Sequence, residues 1–140
     1  MKKIKKIGFK SILTMLILLT ISITVWAEWR QKIIRVRFAK GEMSAQYKDT
    51  LRGRIWHIYK LRANAGQKMR VALQAGENDY LSLQVKNSTG SVLQSSDGSD
   101  VGDSWENTLK RAGEYQIWVT PPDTTENTDV LRYAVKISIE

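Results

Sequence analysis

Apolar and polar residues alternate with a period of two along most of the chain after residue 30, a pattern typical of half-buried β-strands. The clearest runs cover residues 34–38, 55–62, 69–73, 81–86, 115–120 and 131–139, and weaker runs cover 44–51 and 105–109. Turn-forming residues separate these runs, as at Lys40-Gly41, Asn64-Ala65-Gly66 and Ala112-Gly113. No stretch shows the periodicity of an amphipathic helix. The pattern predicts an all-β fold, a small antiparallel β-sandwich or jelly roll of about eight strands.

The first 27 residues follow a different pattern. Residues 1–10 contain five Lys and no acidic residue, residues 11–27 carry no charge, and Val25 and Ala27 are small residues suited to a cleavage site. This order is typical of a secretory signal peptide. A membrane anchor is disfavoured because the uncharged run has 17 residues, five of them Ser or Thr. We predict a signal peptide at 1–27 cut after Ala27, export to the periplasm with no membrane attachment afterwards, and one domain at 28–140.

The net charge of the chain is much smaller without the predicted signal peptide. The whole chain has 22 Lys and Arg against 14 Asp and Glu, a formal net charge of +8. Because five of the Lys lie in residues 1–10, the exported chain keeps only +3, which disfavours nucleic acid as a partner. Residues 28–70 carry a net charge of +9 and residues 71–140 a net charge of −6. This asymmetry indicates either ordinary solvated strand faces or a two-signed surface that steers charged partners.

Most catalytic chemistry is disfavoured by composition. The chain has no Cys, which excludes disulfides, thiolate metal sites and a Cys nucleophile. Its single His, His57, makes a His-rich metal site or a Ser-His-Asp triad a poor prediction, and a packed histidine is favoured. The series Asp97, Asp100 and Asp103 lacks the spacing of a calcium loop and is interpreted as a mobile acidic loop. No motif pairs two carboxylates for glycoside hydrolysis. We therefore predict a non-enzyme with no cofactor, no metal and no catalytic residues.

Two tryptophans stand on the polar side of their alternations, Trp56 and Trp118. Exposed aromatic residues beside Arg are typical of binding surfaces, because Trp, Tyr and Arg dominate interface hot spots. The same side chains could stack on sugar rings. The alternatives are that loops cover both rings, or that the register of these strands is shifted by one residue.

A family resemblance rests on several longer stretches. They are Val36-Arg37-Phe38-Ala39-Lys40-Gly41, Ser44-Ala45-Gln46-Tyr47, Leu51-Arg52-Gly53, residues 59–71, Trp105-Glu106-Asn107-Thr108-Leu109 and residues 112–117. Over nearly all of the exported chain, these stretches resemble the periplasmic inhibitors of g-type lysozyme. That family is itself similar to the pre-peptidase C-terminal domain, a small β-sandwich. The resemblance implies a non-enzymatic protein whose end loops block a lysozyme cleft, with g-type lysozyme as the protein partner.

The resemblance also implies contact elements, namely a Ser-Gly-x-Tyr turn, an aromatic near the second strand and a basic late hairpin loop. Gly113 and Tyr115 match the turn, with Ala112 in place of Ser, and Arg54 stands where an aromatic is common. The late hairpin, residues 120–130, is acidic instead and contains no Lys or Arg. The predicted lysozyme-binding residues are Arg54, Gly113 and Tyr115, with Trp56, Arg111, Glu114 and Asp123 as further candidates.

A second interpretation belongs to another class of function. A sandwich of the pre-peptidase type could bind cell-wall glycan through Trp56 and Trp118, or act as an immunity partner of another wall-degrading toxin. The position of the aromatic residues separates the possibilities. A row of Trp on one sheet face favours sugar, whereas residues gathered on loop tips at one end favour insertion into an enzyme cleft.

Overall fold

A computed structural model describes residues 30–140, so the predicted signal segment lies outside the described residues. The described chain contains nine β-strands and no helix, which confirms the all-β prediction. The strands are β1 (Arg30–Arg35), β2 (Ser44–Arg52), β3 (Ile55–Ala63), β4 (Lys68–Ala75), β5 (Ser82–Lys86), β6 (Val92–Leu93), β7 (Ser104–Thr108), β8 (Gly113–Thr120) and β9 (Val130–Ile139).

The strands form two sheets that face each other as a sandwich. One sheet has five strands in the order β1-β3-β8-β5-β6, and the other has four in the order β2-β9-β4-β7. All strand pairs are antiparallel except β1 and β3, which run parallel from Arg30 opposite Ile55 to Arg35 opposite Lys60. A parallel neighbour requires a crossover, and here the chain leaves β1 for the other sheet before it returns.

The sequence pattern misplaced the first strand. Alternation predicted a strand at 34–38, but β1 ends at Arg35 and residues 36–39 are irregular. Val36 is still buried, and its backbone N–H donates to the carbonyl of Lys60 at 2.9 Å. The apolar side chains of this segment therefore reflect a chain that packs on the core edge while it crosses between sheets. The short strand β6 was also not predicted, because two residues are too few to show a period.

The core lies between the sheets and consists of the inward positions of each alternation. Its largest fully buried side chains include Tyr59, Leu51, Met69, Leu83 and Ile117. The two predicted weaker strands are present as β2 and β7, and Trp105 on β7 is buried. Burial of one face of each sheet explains the period of two, since successive side chains point to opposite faces.

The connections between strands gather at the two ends of the sandwich. The end here called the Trp56 end carries the β2–β3, β4–β5, β6–β7 and β8–β9 connections, residues 53–54, 76–81, 94–103 and 121–129. The opposite end, here called the Arg111 end, carries the β1–β2, β3–β4, β5–β6 and β7–β8 connections, residues 36–43, 64–67, 87–91 and 109–112. Strand β8 runs the full distance between the ends, about 25 Å for its eight residues.

Candidate functional site

The structure sorts the sequence-predicted contact residues into two groups. Arg111, Gly113, Glu114 and Tyr115 lie at the Arg111 end, in the β7–β8 turn and the first residues of β8. Arg54, Trp56 and Asp123 lie at the Trp56 end, in or beside the β2–β3 and β8–β9 connections. Because the length of β8 separates them, the seven residues do not form one contact surface. Their role in lysozyme binding stays a prediction.

Tyr115 is part of the core and does not present its ring to solvent. Its side chain is only 5% exposed, and its hydroxyl donates a hydrogen bond to the backbone carbonyl of Arg111. A buried Tyr hydroxyl needs such a partner, and a similar Tyr bond to backbone a few residues upstream stabilises corners in other β-sandwiches. Tyr115 is therefore placed to support the β7–β8 turn from below, rather than to touch a partner directly.

The β7–β8 turn is also joined to the neighbouring β3–β4 turn. The backbone N–H of Gly66 donates to the carbonyl of Leu109 at 2.7 Å, and the N–H of Leu109 donates to the carbonyl of Gln67 at 2.8 Å. The side chain of Gln67 in turn accepts from the N–H of Asn64 at 2.7 Å. Since both turns are short and hydrogen-bonded to each other, they form one well-ordered surface at this end.

This surface presents two cations, Lys110 and Arg111, both exposed. Within residues 30–140, neither side chain forms an ion pair. Lys110 was missed by the sequence analysis, although it stands beside Arg111 between two predicted strands, which is the signal that could have found it. Two adjacent cations on a supported turn are suited to bind carboxylates, with the planar guanidinium able to make two parallel hydrogen bonds.

Glu114 faces away from this turn, on the outer face of the five-stranded sheet. Its carboxylate lies 3.5 Å from Arg35 Nη2 and 3.9 Å from Lys60 Nζ. Both partners stand on neighbouring strands of the same sheet, so the negative charge of Glu114 is balanced locally. The site at the Arg111 end therefore keeps a net positive charge at its tip.

At the Trp56 end, Arg54 holds the β8–β9 loop. Its Nε donates to the carbonyl of Thr125 at 2.9 Å, and Thr125 is itself buried. Gly53 brings the two connections together, since its N–H donates to the carbonyl of Asp129 at 2.8 Å. A Cβ atom at Gly53 would lie 2.9 Å from the carbonyl oxygen of Asn127, and the residue has φ of +69°. Only glycine fits this turn without strain.

Trp56 and Trp118 lie side by side on the outer face of the five-stranded sheet, as their alternation predicted. Their ring centroids are 5.2 Å apart with an interplanar angle of 53°, and the ammonium of Lys86 lies 3.7 Å from the centroid of the Trp118 ring. Trp56 also lines an open recess of about 360 Å³ at the Trp56 end. The other lining residues are Ser82, Thr120, Pro121, Pro122 and Asp123.

The connections of the two ends have opposite charge. At the Trp56 end they contain Arg54 against a set of acidic residues, Glu77, Asp79, Asp97, Asp100, Asp103, Asp123, Glu126 and Asp129. At the Arg111 end they contain Glu42 against Arg37, Lys40, Lys110 and Arg111. Arg52 and Arg132 stand on strands beside the acidic end, on the outer face of the other sheet. The fold thus gathers the two-signed charge of the sequence on separate groups of loops.

A buried polar network lies in the core beneath the Trp56 end. The hydroxyl of Tyr133 lies 2.6 Å from both His57 Nδ1 and the hydroxyl of Tyr59. The carboxylate of Asp49 lies 3.5 Å from His57 Nδ1 and accepts a hydrogen bond from Lys32 at 2.7 Å. The prediction of a packed histidine is confirmed, since His57 is 2% exposed. The network itself was missed, although all three aromatic residues fall on the inward side of their alternations.

Burial dominates the ionisation of this network. Desolvation lowers the pKa of His57, and the positive charge of Lys32 adds to the effect while the Asp49 carboxylate opposes it. Desolvation raises the pKa of Tyr59 to about 12 and also raises the pKa of Tyr133. For Asp49, partial burial favours the neutral form, but hydrogen bonds from Lys32 and from the N–H of Thr50 outweigh it and hold the pKa below its usual value.

Within residues 30–140, no cluster of three or more His, Asp or Glu side chains could hold a metal ion. The same residues also include no helix that could span a lipid bilayer.

Comparison with known proteins gives fold relatives at modest identity. No protein-family model matches the chain, and no curated protein sequence is significantly similar to it. Among solved structures, the chain is similar to the periplasmic inhibitor of g-type lysozyme from Aeromonas hydrophila, with a TM-score of 0.65 and 25% identity. That alignment covers 79% of this chain and 98% of the inhibitor.

Two further inhibitors of the same kind share the fold. The inhibitor from Salmonella Typhimurium aligns with a TM-score of 0.59 and 24% identity, covering 78% of this chain and 98% of that one. A mutant of the inhibitor from Escherichia coli aligns with a TM-score of 0.58 and 21% identity, covering 79% and 99%. These neighbours are inhibitor proteins and not enzymes. These three structural neighbours are periplasmic inhibitors of g-type lysozyme, the family that the sequence motifs of this chain resemble.

Proposed function

We propose that this protein is an inhibitor of g-type lysozyme that inserts the joined turns of the Arg111 end into the lysozyme cleft. The observation that carries the proposal is the cationic β7–β8 turn, supported by buried Tyr115 and hydrogen-bonded to the β3–β4 turn. The similarity of the whole domain to known inhibitors of g-type lysozyme supports the same function.

The mechanism follows from the chemistry of glycoside hydrolysis. A glycosidase cleft binds sugar next to catalytic carboxyl groups, so it is narrow and acidic. Arg111 and Lys110 offer donors to such carboxylates, and charge-assisted hydrogen bonds to a carboxylate are among the strongest polar contacts. Because the turn is already ordered, little conformational entropy is lost on binding. Opposite charges also speed the encounter, and salt weakens this effect.

Within this proposal the predicted contact residues take different roles. Arg111 contacts the lysozyme. Gly113 joins the turn to β8 as the first residue of that strand, and Tyr115 holds the turn in position from the core. Glu114 balances Arg35 and Lys60 and stands outside the contact. Arg54, Trp56 and Asp123 stand at the opposite end and outside it as well. The late hairpin, where the family resemblance implies a basic loop, lies at the opposite end and carries no Lys or Arg.

The direct test measures lysis of bacterial walls by g-type, c-type and i-type lysozymes, with and without the purified exported protein. We expect inhibition of the g-type enzyme alone. The double variant Lys110→Glu with Arg111→Glu should lose this inhibition, whereas Arg52→Glu, an exposed arginine at the other end, should keep it. If the wild type, the double variant and Arg52→Glu inhibit g-type lysozyme equally, the Arg111 end is not part of the contact. A folded wild-type protein that inhibits none of the three enzymes would overturn the proposed function.

Export is part of the same proposal. Residues 1–27 would direct the chain to the periplasm, the compartment in which the names of the three inhibitors place them. Cell fractionation followed by N-terminal sequencing provides the test. We expect a periplasmic protein that begins at Glu28, and a cytoplasmic protein that keeps its first ten residues would contradict this part.

A further inference from the structure

The outer face of the four-stranded sheet carries three exposed cations, Lys48 on β2 and Arg132 and Lys136 on β9. Their neighbours along β9, Tyr133 and Val135, are buried, so the three cations stand on the side of the sheet away from the core. Among residues 30–140, no carboxylate forms an ion pair with any of the three. This positive charge plays no part in the proposed lysozyme contact.

The register of the sheet brings the three cations together around one small residue. Lys48 lies directly opposite Ala134, and Arg132 and Lys136 stand two positions before and after Ala134 on the same strand. Diagonal neighbours of this kind on one face of an antiparallel pair lie about 7–8 Å apart. Because like charges at this spacing repel each other, the fold gains nothing from the arrangement, whereas a bound anion would relieve the repulsion.

The carboxylates around this face are engaged with other partners. Glu106, on β7, binds Lys68 at 2.6 Å and Arg70 at 3.2 Å. Asp49, on β2, stands on the inner side of its strand and binds Lys32 at 2.7 Å. These contacts leave the charge of Lys48, Arg132 and Lys136 available to a ligand.

A hollow of about 420 Å³ lies between Lys48 and Arg132. Its volume falls within the range of ligand pockets, about 300–1,000 Å³. Thr50 and Gln74 also line the hollow, and their hydroxyl and amide groups can donate and accept hydrogen bonds. Asp79 lies behind it and accepts the backbone N–H of Arg132 at 3.0 Å, which leaves the guanidinium group free to face the hollow. The hollow therefore combines two cations with two neutral polar groups.

The charge of this site favours a phosphate group over a single carboxylate. A phosphate monoester carries a charge of about −1.5 to −2 at pH 7 and has three acceptor oxygens, so it can bind several cations at once. The planar guanidinium of Arg132 can bind two of these oxygens in parallel, and Lys48 adds a compact charge. On the four strands described here, the outer face has no aromatic side chain on which a base could stack, which disfavours a nucleic acid.

We propose that Lys48, Arg132 and Lys136 bind a phosphate monoester that is carried by a sugar. The phosphate would lie between Lys48 and Arg132, and Lys136 would add its charge from the far side of Ala134. The sugar would occupy the hollow, where its hydroxyl groups would form hydrogen bonds with Thr50 and Gln74.

The test uses the full exported chain and compares glucose 6-phosphate, inorganic phosphate, glucuronate and glucose as probes at constant ionic strength. NMR titration follows the backbone N–H signals of residues 48–50 and 132–136. We expect glucose 6-phosphate to bind and to shift these signals, and glucose to leave them unchanged. Inorganic phosphate should bind about threefold more weakly or worse, because it has no sugar hydroxyls for Thr50 and Gln74.

The other probes can overturn each part of the proposal. If glucuronate binds as tightly as glucose 6-phosphate, the site accepts any anionic sugar and the assignment to phosphate is wrong. If inorganic phosphate binds as tightly, the sugar has no part in recognition. Glucose 6-phosphate that leaves the signals of residues 132–136 unchanged would overturn the whole proposal.

Variants of the three cations make the test specific. The double variant Lys48→Gln with Arg132→Gln should weaken binding of glucose 6-phosphate about tenfold or more, because both cations beside the phosphate are lost. Lys136→Gln should weaken it only about twofold to threefold. The smaller effect is expected because Lys136 also lines a second hollow, of about 620 Å³, together with the carboxylates of Asp97 and Glu140.

The matched control is Arg62→Gln, which removes an exposed arginine from the outer face of the other sheet. It should bind glucose 6-phosphate as the wild type does. Urea denaturation checks the fold of each variant, and the double variant should be no less stable than the wild type, since it loses like charges that repel. If the double variant does not fold, Lys48→Gln alone decides. A folded variant at Lys48 that binds as tightly as Arg62→Gln would contradict the assignment.

This inference stands independently of the proposed function. The double variant Lys110→Glu with Arg111→Glu should bind glucose 6-phosphate as the wild type does, whether or not the protein inhibits lysozyme. Inhibition of g-type lysozyme by the wild type should be the same with and without glucose 6-phosphate at equal ionic strength. Weaker inhibition in its presence would contradict two separate sites.

Discussion

The two ends of this sandwich are built by the same kind of hairpin connection but differ in charge and in what stiffens them. The Arg111 end is cationic at its tip and is tied down by a tyrosine hydroxyl and by backbone bonds between two turns. The Trp56 end has acidic loops, and an arginine and a glycine bind its β8–β9 loop to the β2–β3 turn. A small domain can therefore carry two unlike surfaces about 25 Å apart, the length of one strand.

The difference explains why family residues cannot be transferred as a single block. The matched Gly113-x-Tyr115 turn lies at one end, while the late hairpin without basic residues lies at the other. If each end has its own partner, then loss of positive charge in the late hairpin need not abolish lysozyme binding. Variants at each end can test whether the two ends act independently.

The largest expected effect is on inhibition of g-type lysozyme by the double variant Lys110→Glu with Arg111→Glu. We expect inhibition to weaken at least 100-fold, about 2.7 kcal/mol, because two repulsive charges would face the acidic cleft. Inhibition constants at low and high salt provide the measurement. Inhibition by the wild type should weaken as the salt concentration rises, and inhibition by the double variant should change much less. A matched reversal at the acidic end, Arg52→Glu, should change inhibition less than threefold.

A smaller effect is expected on stability when the turn glycines are replaced. Gly53→Ala should lower the free energy of unfolding by about 2–3 kcal/mol, since it adds a clash with backbone to a left-handed conformation. Gly66→Ala at the other end has φ of +86° but no atom within 4 Å of the added Cβ, so about 1 kcal/mol is expected. Urea denaturation of both variants gives the comparison. Equal losses would show that the close approach at Gly53 is relieved by movement of the loop.

Tyr115→Phe should loosen the β7–β8 turn at the Arg111 end. Removing the hydroxyl leaves the Arg111 carbonyl without this donor, which should lower the free energy of unfolding by about 1 kcal/mol. Inhibition of g-type lysozyme should weaken about threefold to tenfold at a temperature where the variant is fully folded. Tyr133→Phe is the control, because it removes a buried hydroxyl from the other network. A control that weakens inhibition as much would mean that general loosening, not the turn, is responsible.

The smallest expected effect is a change in the stability of the protein with pH, caused by titratable groups beneath the Trp56 end. Since the pKa of His57 is lowered in the folded protein, the unfolded chain binds a proton more readily, and stability falls as pH decreases below about 6.5. The lowered pKa of Asp49 adds a second loss that begins near pH 4. Thermal unfolding between pH 8 and pH 4.5 should show the first decline in the wild type. A His57→Gln variant should show a flatter profile, and an equally steep one would assign the decline to other groups.

The fold was predictable from sequence because half-buried strands impose a period of two on the side chains. Strand β9 shows this clearly, with Tyr133, Val135 and Ile137 buried and Arg132 and Lys136 exposed. The pattern failed at residues 36–39, where apolar side chains pack on the core edge without strand pairing. The pattern also did not predict strand β6, because two residues are too few to show a period and the strand is recognised only by its pairing with β5.

The candidate site was predictable only in part. Alternation placed Trp56 and Trp118 on the outer face, and the structure brings their rings into contact. Alternation also placed Tyr115 on the inward side, so its burial was foreseeable, but its bond to Arg111 was not. That bond depends on the path of the chain between two strands, which the alternation of apolar and polar residues does not predict.

Local spacing and composition are sufficient to predict most strands, their buried faces and the two-signed charge. Which connections share an end depends instead on the order and direction of the strands in the two sheets, and these are visible only in the folded molecule. For this reason Arg54 and Arg111, both candidates for one role in the sequence, stand at opposite ends of the molecule. The same pairing brings Trp56, Thr120 and Asp123 around one recess and joins Gly66 to Leu109 at the other end.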